Sequence, residues 1–182
     1  KVEEILNTST FATTTLRAGI IVGSGSASFE IIRDLVNKLP IMITPKWLNT
    51  KCQPIAIPDV LDFLSKSLLN PVTYHQSFDI GGPDILTYKE MLLGFAAAKK
   101  LKRWIVTIPI MTPKLSSYWL YFVTSTSYRL ASALVSSMKV EVICSDNRIN
   151  TLLNVTPMSY QQALSRALIK VDEDKVASSW KD

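Results

Sequence analysis

TLRAGIIVGSGSASFEIIRDLV, residues 15–36, is the stretch whose reading decides the fold. Three glycines, Gly19, Gly23 and Gly25, stand between a β-like run and a helix-like run, which is the layout of a dinucleotide-binding turn. Such a turn needs its glycines after the strand has ended, where the backbone bends sharply and opens a helix N-terminus toward a pyrophosphate. It also needs an acidic residue roughly 20 positions on for the ribose hydroxyls. Here Gly19 lies inside the β-like run, which Ile20, Ile21 and Val22 continue. The acidic position falls at Leu39 and Pro40, and the nearest charges, Lys38 and Lys46, are basic. A basic residue there would suit a 2′-phosphate. The stretch otherwise reads as a strand-exit loop with glycines at its bends.

Outward from this stretch, strands and helices alternate, which predicts an α/β fold. The segment VEEIL (residues 2–6) reads as the last turns of a helix, and its abrupt start suggests a chain cut from something longer. Residues 12–23 are rich in β-branched side chains and predict a strand. A helix follows, with Phe29, Ile32, Leu35, Val36 and Leu39 on one face, Ser26 or Ser28 as cap and Pro40 as stop. IMITP (41–45) is a short strand. QPIAIP leads to a strand ending at Pro58, and Asp59 is expected to cap a helix with Val60, Phe63, Leu64 and Leu68 inward. QSFDI (76–80) is a strand running into a turn at Gly81, Gly82 and Pro83. Thr87 and Glu90 have the spacing of a capping box. WIVTIPI (104–110) is a strand, 113–138 is mainly helical, and a last helix presents Ala163, Leu164, Ala167 and Leu168 on one face. The expected organisation is one unit over 1–170 and a polar tail over 171–182.

Composition removes several function classes. Of the 182 residues 47% are hydrophobic, which excludes a disordered chain. The net charge of +5 comes without a block of five like charges, so nucleic acid is not an expected partner. Cys52 and Cys144 have no CxxC spacing, which fits a reducing cytoplasm. His75 is the one histidine, so no metal site is expected; Asp79 and Asp84 around the glycines read as a turn. The N-terminus is not a signal peptide. The apolar run at 118–135 carries Arg129 and many Ser and Thr, too polar for a span of about 20 apolar residues, so no membrane partner is expected.

Residues 15–64, with PIAIPDV (54–60) and SFDIGGPDILTYKEML (77–92), resemble the second half of the extended and atypical short-chain dehydrogenase/reductases. The similarity is greatest to nucleoside-diphosphate-sugar epimerases and NmrA-like NAD(P)-binding proteins. Residues 111–142 resemble the extra C-terminal region of the atypical branch, so the likeness covers most of 2–168. It implies the C-terminal part of a Rossmann-like fold: the remaining sheet strands and a helical substrate-binding portion, without the N-terminal glycine-rich half. It implies NAD(P) in a longer parent, none bound by this chain alone, and a small-molecule substrate such as a sugar nucleotide.

The family's Tyr-x-x-x-Lys pair belongs on the helix that precedes the strand carrying Arg17. Every tyrosine here lacks a lysine four residues on, and Tyr88 and Lys89 are adjacent, about 100° apart on a helix. No catalytic residue is therefore assigned. In that pair the lysine lowers the phenol's pKa so that it can move a proton near neutrality.

By resemblance, Arg17, Ala18 and Gly19 stand where relatives carry an Arg-Pro-Gly turn bordering the nicotinamide, with Ala18 in place of the proline. Ile20 and Gly23 would line the same wall. The alternative is that Arg17 forms an ion pair and Gly19 permits close packing. Ser24, with Gln53 and Pro54 on the return strand, are the substrate-side candidates. Ser24, Ser26 and Ser28 otherwise serve as caps or hold a small anion. Trp47, Trp104 and Trp119 line an apolar pocket or pack in the core. Three functions stay open: substrate-side half of an NAD(P)-dependent oxidoreductase or epimerase, part of a non-catalytic dinucleotide sensor or assembly protein, and a free-standing anion-binding domain. An exposed sheet edge predicts self-association, with a homodimer as the simplest form.

Overall fold

A computed structural model describes residues 2–8, 10–108, 133 and 136–172. In chain order the elements are α1 (Val2–Asn7), β1 (Thr14–Ala18), β2 (Ile21–Val22), α2 (Ala27–Lys38), β3 (Ile41–Pro45), β4 (Lys51–Cys52), β5 (Ile55–Ala56), α3 (Ile57–Ser67), β6 (Gln76–Ile80), β7 (Leu86–Thr87), α4 (Tyr88–Ala98), β8 (Trp104–Ile108), α5 (Arg148–Leu152) and α6 (Tyr160–Asp172). Short 3-10 turns occupy Lys46–Asn49 and Pro71–Thr73. The expected helix over 113–138 lies almost wholly outside the described residues, as do residues 173–182.

The expected strand over 12–23 is two strands. β1 pairs in parallel with β6, Thr14 opposite Gln76 through Ala18 opposite Ile80. After a break at Gly19 and Ile20, β2 pairs in parallel with β5. β3 and β8 form a third parallel ladder, and β4 and β7 a short antiparallel one. Parallel partners need long crossovers, and here helices supply them.

The local signals at α2 and α4 operate as physics requires. Ser26 has extended backbone, and its Oγ accepts from Phe29 N at 3.2 Å while donating to Ile21 O at 2.9 Å. Pro40 has no N–H to extend α2 beyond Leu39. At α4, Thr87 Oγ1 accepts from Glu90 N at 3.1 Å and Thr87 N donates to Glu90 Oε2 at 2.7 Å, a complete capping box.

At α3 the expectation is corrected. The helix starts two residues before Asp59, Ala56 is the N-cap and no side chain caps it. Asp59 instead reaches away, its Oδ2 accepting from Met158 N at 2.9 Å. Val60 and Phe63 are buried, but Leu64 and Leu68 are 51% and 73% exposed. The apolar face exists in the sequence; no described element covers that part of it.

Two cores result. The larger packs α2, α4 and α6 together through Phe29, Val36, Met91, Phe95 and Leu164. Phe29 and Phe95 meet edge to face at 5.7 Å, an arrangement that adds to their area burial. All four α6 residues expected inward are buried. The smaller core joins β5, β6, α3 and α5 through Ile55, Phe63, Phe78 and Ile149.

Candidate functional site

The carboxyl ends of β1 and β6 lie side by side, where open α/β sheets bind ligands. Register sets Arg17 opposite Asp79, and Arg17 Nε meets Asp79 Oδ1 at 2.9 Å. Asp79 Oδ2 also accepts from Ser145 N at 2.9 Å and Ser145 Oγ at 2.6 Å. These bonds, the Ser145 hydroxyl first and the Arg17 guanidinium after it, hold the Asp79 carboxyl below its ordinary value despite partial burial.

A strap, residues 142–145, crosses this end of the sheet. Val142 N donates to Lys51 O at 3.2 Å, and Gln53 N to Val142 O at 2.9 Å. Gln53 is 6% exposed, and both ends of its amide are engaged. Its Nε2 donates to Gly82 O at 2.6 Å and its Oε1 accepts from Cys144 N at 2.9 Å. Close approach explains the glycines. A Cβ on Gly19 would stand 2.8 Å from Val142 Cγ1, and one on Gly82 only 2.4 Å from Pro54 O.

Arg17, Ala18, Gly19 and Gln53 line one cleft of about 200 Å³ together with Asp79 and the strap residue Cys144. The other expected site residues fall elsewhere. Ile20 is buried and borders an apolar cavity shared with Trp47 and Tyr88. Pro54 is buried, and its carbonyl accepts from Gly82 N at 2.9 Å. Gly23 and Ser24 line a second hollow of about 370 Å³ with Ile57 and Arg166. Of the expected tryptophans, Trp47 packs edge to face on Tyr88 with ring centres 6.5 Å apart, Trp104 is 71% exposed, and Trp119 lies outside the described residues.

The glycine turn does not offer a pyrophosphate cradle. Gly25, at φ 83°, donates its N–H to Glu30 Oε1 at 3.3 Å, so a carboxylate of this chain already faces that amide. A Cβ on Gly23 would meet Ile57 Cγ2 at 2.6 Å, so its bareness serves packing against α3. At the β1 end Arg17 is half exposed and carries five N–H donors, of which Asp79 engages Nε.

Among the described residues two tyrosine phenols and both cysteine thiols are held protonated near neutrality. Burial pushes the Tyr88 phenol up to about 12 and raises that of Tyr160, whose hydroxyl donates to Met91 O at 2.9 Å. Burial also pushes the Cys52 thiol up to about 12 and raises the Cys144 thiol, so both are poor nucleophiles. No group of three His, Cys, Asp or Glu side chains is placed to hold a metal among the described residues.

Asp79, Ser145, Cys144 and Arg166 are the site residues that sequence reasoning missed. Parallel pairing sets Asp79 beside Arg17 across 62 positions, and no local pattern signals that. The one available hint is that Asp79 opens the glycine turn at the end of a strand.

No family model and no curated protein matches the sequence. Solved structures do match in fold. A nucleoside-diphosphate-sugar epimerase from Staphylococcus aureus aligns with TM-score 0.65 at 17% identity, over 88% of this chain and 55% of its own. RMD from Pseudomonas aeruginosa, complexed with NADPH, aligns with TM-score 0.64 at 14% identity, over 96% and 54%. The Bordetella bronchiseptica enzyme WbmH, in complex with NAD+, aligns with TM-score 0.61 at 12% identity, over 94% and 49%. The chain thus spans about half the length of these structures, and its fold is Rossmann-like α/β.

Proposed function

We propose that this chain supplies the substrate-side half of the cleft in an NAD(P)-dependent oxidoreductase or nucleoside-diphosphate-sugar epimerase. The observation that carries the reading is the β1–β6 ladder. Arg17 and Ala18 end, and Gly19 follows, a parallel strand that is hydrogen-bonded on one side only among the described residues. A doubly wound sheet adds further strands at such an edge, and the aligned solved structures are about twice as long. That these structures are an epimerase, RMD held with NADPH and an enzyme held with NAD+ supports the same class.

In this reading NAD(P) supplies the hydride acceptor or donor, bound chiefly by chain outside these residues. Arg17, oriented by Asp79, presents donors to an oxygen-rich ligand. The backbone at Ala18 and Gly19 forms a flat wall, and the 142–145 strap holds that wall in place. Ser24 and Arg166 border a neighbouring hollow suited to an anionic substrate group. A small-molecule substrate, a cytoplasmic setting and self-association through the open β1 edge belong to the same proposal.

A second reading has a specific observation behind it. No tyrosine in the chain has a lysine four residues on, and the buried Tyr88 and Tyr160 phenols are held protonated. A dinucleotide sensor or assembly protein that turns nothing over fits this equally well.

The test uses the full-length product of the parent reading frame, followed at the NAD(P)H absorbance band with nucleotide sugars. Turnover that falls on Arg17→Ala supports the enzyme. Tight NAD(P)H binding without turnover supports the sensor. Absence of any dinucleotide binding overturns both. The 182-residue chain alone is expected to show no measurable NAD(P)H binding in calorimetry, and a micromolar Kd would contradict the half-cleft reading.

A further inference from the structure

Four large apolar side chains face solvent on one side of the β3–β8 ladder. Ile41 is 59% exposed, Ile43 52%, Trp104 71% and Val106 52%. Register sets Ile41 opposite Trp104 and Ile43 opposite Val106, so the four form one contiguous patch. Met42 and Thr44, alternating with them along β3, are buried, at 0% and 1% exposure. The outward set is therefore a fixed sheet face, and a contiguous exposed apolar patch marks an interaction surface.

Charge identifies the partner. No Asp or Glu occurs in residues 35–58, which contain β3, or in 91–140, which contain β8. These two stretches hold 10 of the 20 Lys and Arg, while the remaining residues carry 10 basic against 15 acidic side chains. The modest net charge conceals a segregated one. Four of these ten, Lys38, Lys100, Lys102 and Arg103, stand where the two strands begin. Lys100 and Lys102 are exposed there, Lys38 pairs with Asp34 at 3.1 Å, Trp104 N donates to Pro40 O at 3.0 Å, and Arg103 Nη2 reaches Asn37 O at 3.5 Å.

A second copy on this face would set like charges against each other across a two-fold axis. A nucleic acid would gain nothing from the four apolar side chains at the centre. A tryptophan and β-branched side chains beside exposed lysines match a boundary between acyl chains and anionic headgroups.

We propose that the outer face of the β3–β8 ladder docks on an anionic lipid bilayer surface, with Trp104, Ile41, Ile43 and Val106 at the acyl boundary and Lys100 and Lys102 on headgroup phosphates. This departs from the expectation that the chain has no membrane partner. It needs no spanning helix, and no described helix is long and apolar enough to be one.

The test is co-sedimentation of the full chain with vesicles of phosphatidylcholine alone or mixed with phosphatidylglycerol. Binding is expected to the mixed vesicles only, with release between about 0.1 M and 1 M salt as the Debye length shrinks from about 10 to 3 Å. Lys100→Gln with Lys102→Gln lowers the partition about thirtyfold, from about 1 kcal/mol per basic residue. Ile43→Ser with Trp104→Ser also weakens it, and circular dichroism shows both variants folded. Lack of binding by the unaltered chain, equal binding to neutral vesicles, or indifference to either double variant overturns the proposal. So does a face variant that keeps vesicle binding and turns a dimer into a monomer in light scattering, because the occupant is then a second copy.

Discussion

Gln53→Leu is the substitution that most directly tests how the cleft is held together. Leucine nearly keeps the volume and removes both ends of the amide. Gly82 O and Cys144 N then lose the side-chain partners they have at 2.6 Å and 2.9 Å. Leaving a buried polar group unsatisfied costs about 1–3 kcal/mol each. Gly82 is buried and pays nearer the upper figure, while Cys144 is half-buried and water can reach its N–H. The sum is about 2–4 kcal/mol, which in a chain of this size lowers Tm by roughly 4–16 °C. Urea unfolding followed by circular dichroism, with calorimetry as the check on two-state behaviour, measures it. A loss below about 0.5 kcal/mol, the range of an ordinary surface substitution, would refute the claim that this amide fastens the strap to the sheet. It would return Gln53 to the list of residues free to touch a ligand.

Asp59→Asn is expected to be neutral or stabilising at pH 7: burial, the largest effect on Asp59, raises its pKa, and an amide oxygen still accepts from Met158 N. Asp59→Ala leaves that N–H without its partner and is expected to cost about 1–3 kcal/mol in the same urea experiment. Asp79 has the opposite sign. Its folded pKa lies below the ordinary 3.8, so its contribution is complete above that value and is lost as pH falls through the folded pKa. The stability gap between the native chain and Asp79→Asn should therefore be constant near neutrality and close only in acid below 3.8; a gap that closes nearer pH 7 would contradict the assignment. Gly82→Ala places a Cβ 2.4 Å from a backbone oxygen that cannot swing aside, and a cost of about 1–3 kcal/mol or more is expected from calorimetry. Thr87→Ala removes the α4 cap and should cost about 1 kcal/mol, with less helical ellipticity near the melting midpoint.

The helices were the most legible part of this chain. Ser26, Pro40 and the Thr87–Glu90 pair act within one helical turn of themselves, so spacing alone identifies them. The buried set of α6 was legible because a 3.6-residue period selects a face whatever covers it. Asp59 shows the limit: an acid near a helix start suggests a cap, yet its bond runs to Met158, 99 residues away. Leu64 and Leu68 show another, since an apolar stripe states which face seeks cover and not whether cover arrives.

At the cleft, the family resemblance marked Arg17, Ala18 and Gly19 for the cofactor side and Gln53 for the substrate side, and the four line one cleft. The same reading added Ile20, Pro54 and Ser24, which the fold sends to a core, a buried turn and a separate hollow. By itself the sequence determined the α/β alternation, the caps and the apolar faces, because propensity, capping and periodicity act between near neighbours. Only the tertiary structure decided that Arg17 pairs with Asp79, that Gln53 fastens the 142–145 strap, and that the glycines give room to Val142, Ile57 and Pro54 instead of a phosphate. Those are contacts between segments joined by long crossovers, and strand register, which no local pattern encodes, sets which side chains meet.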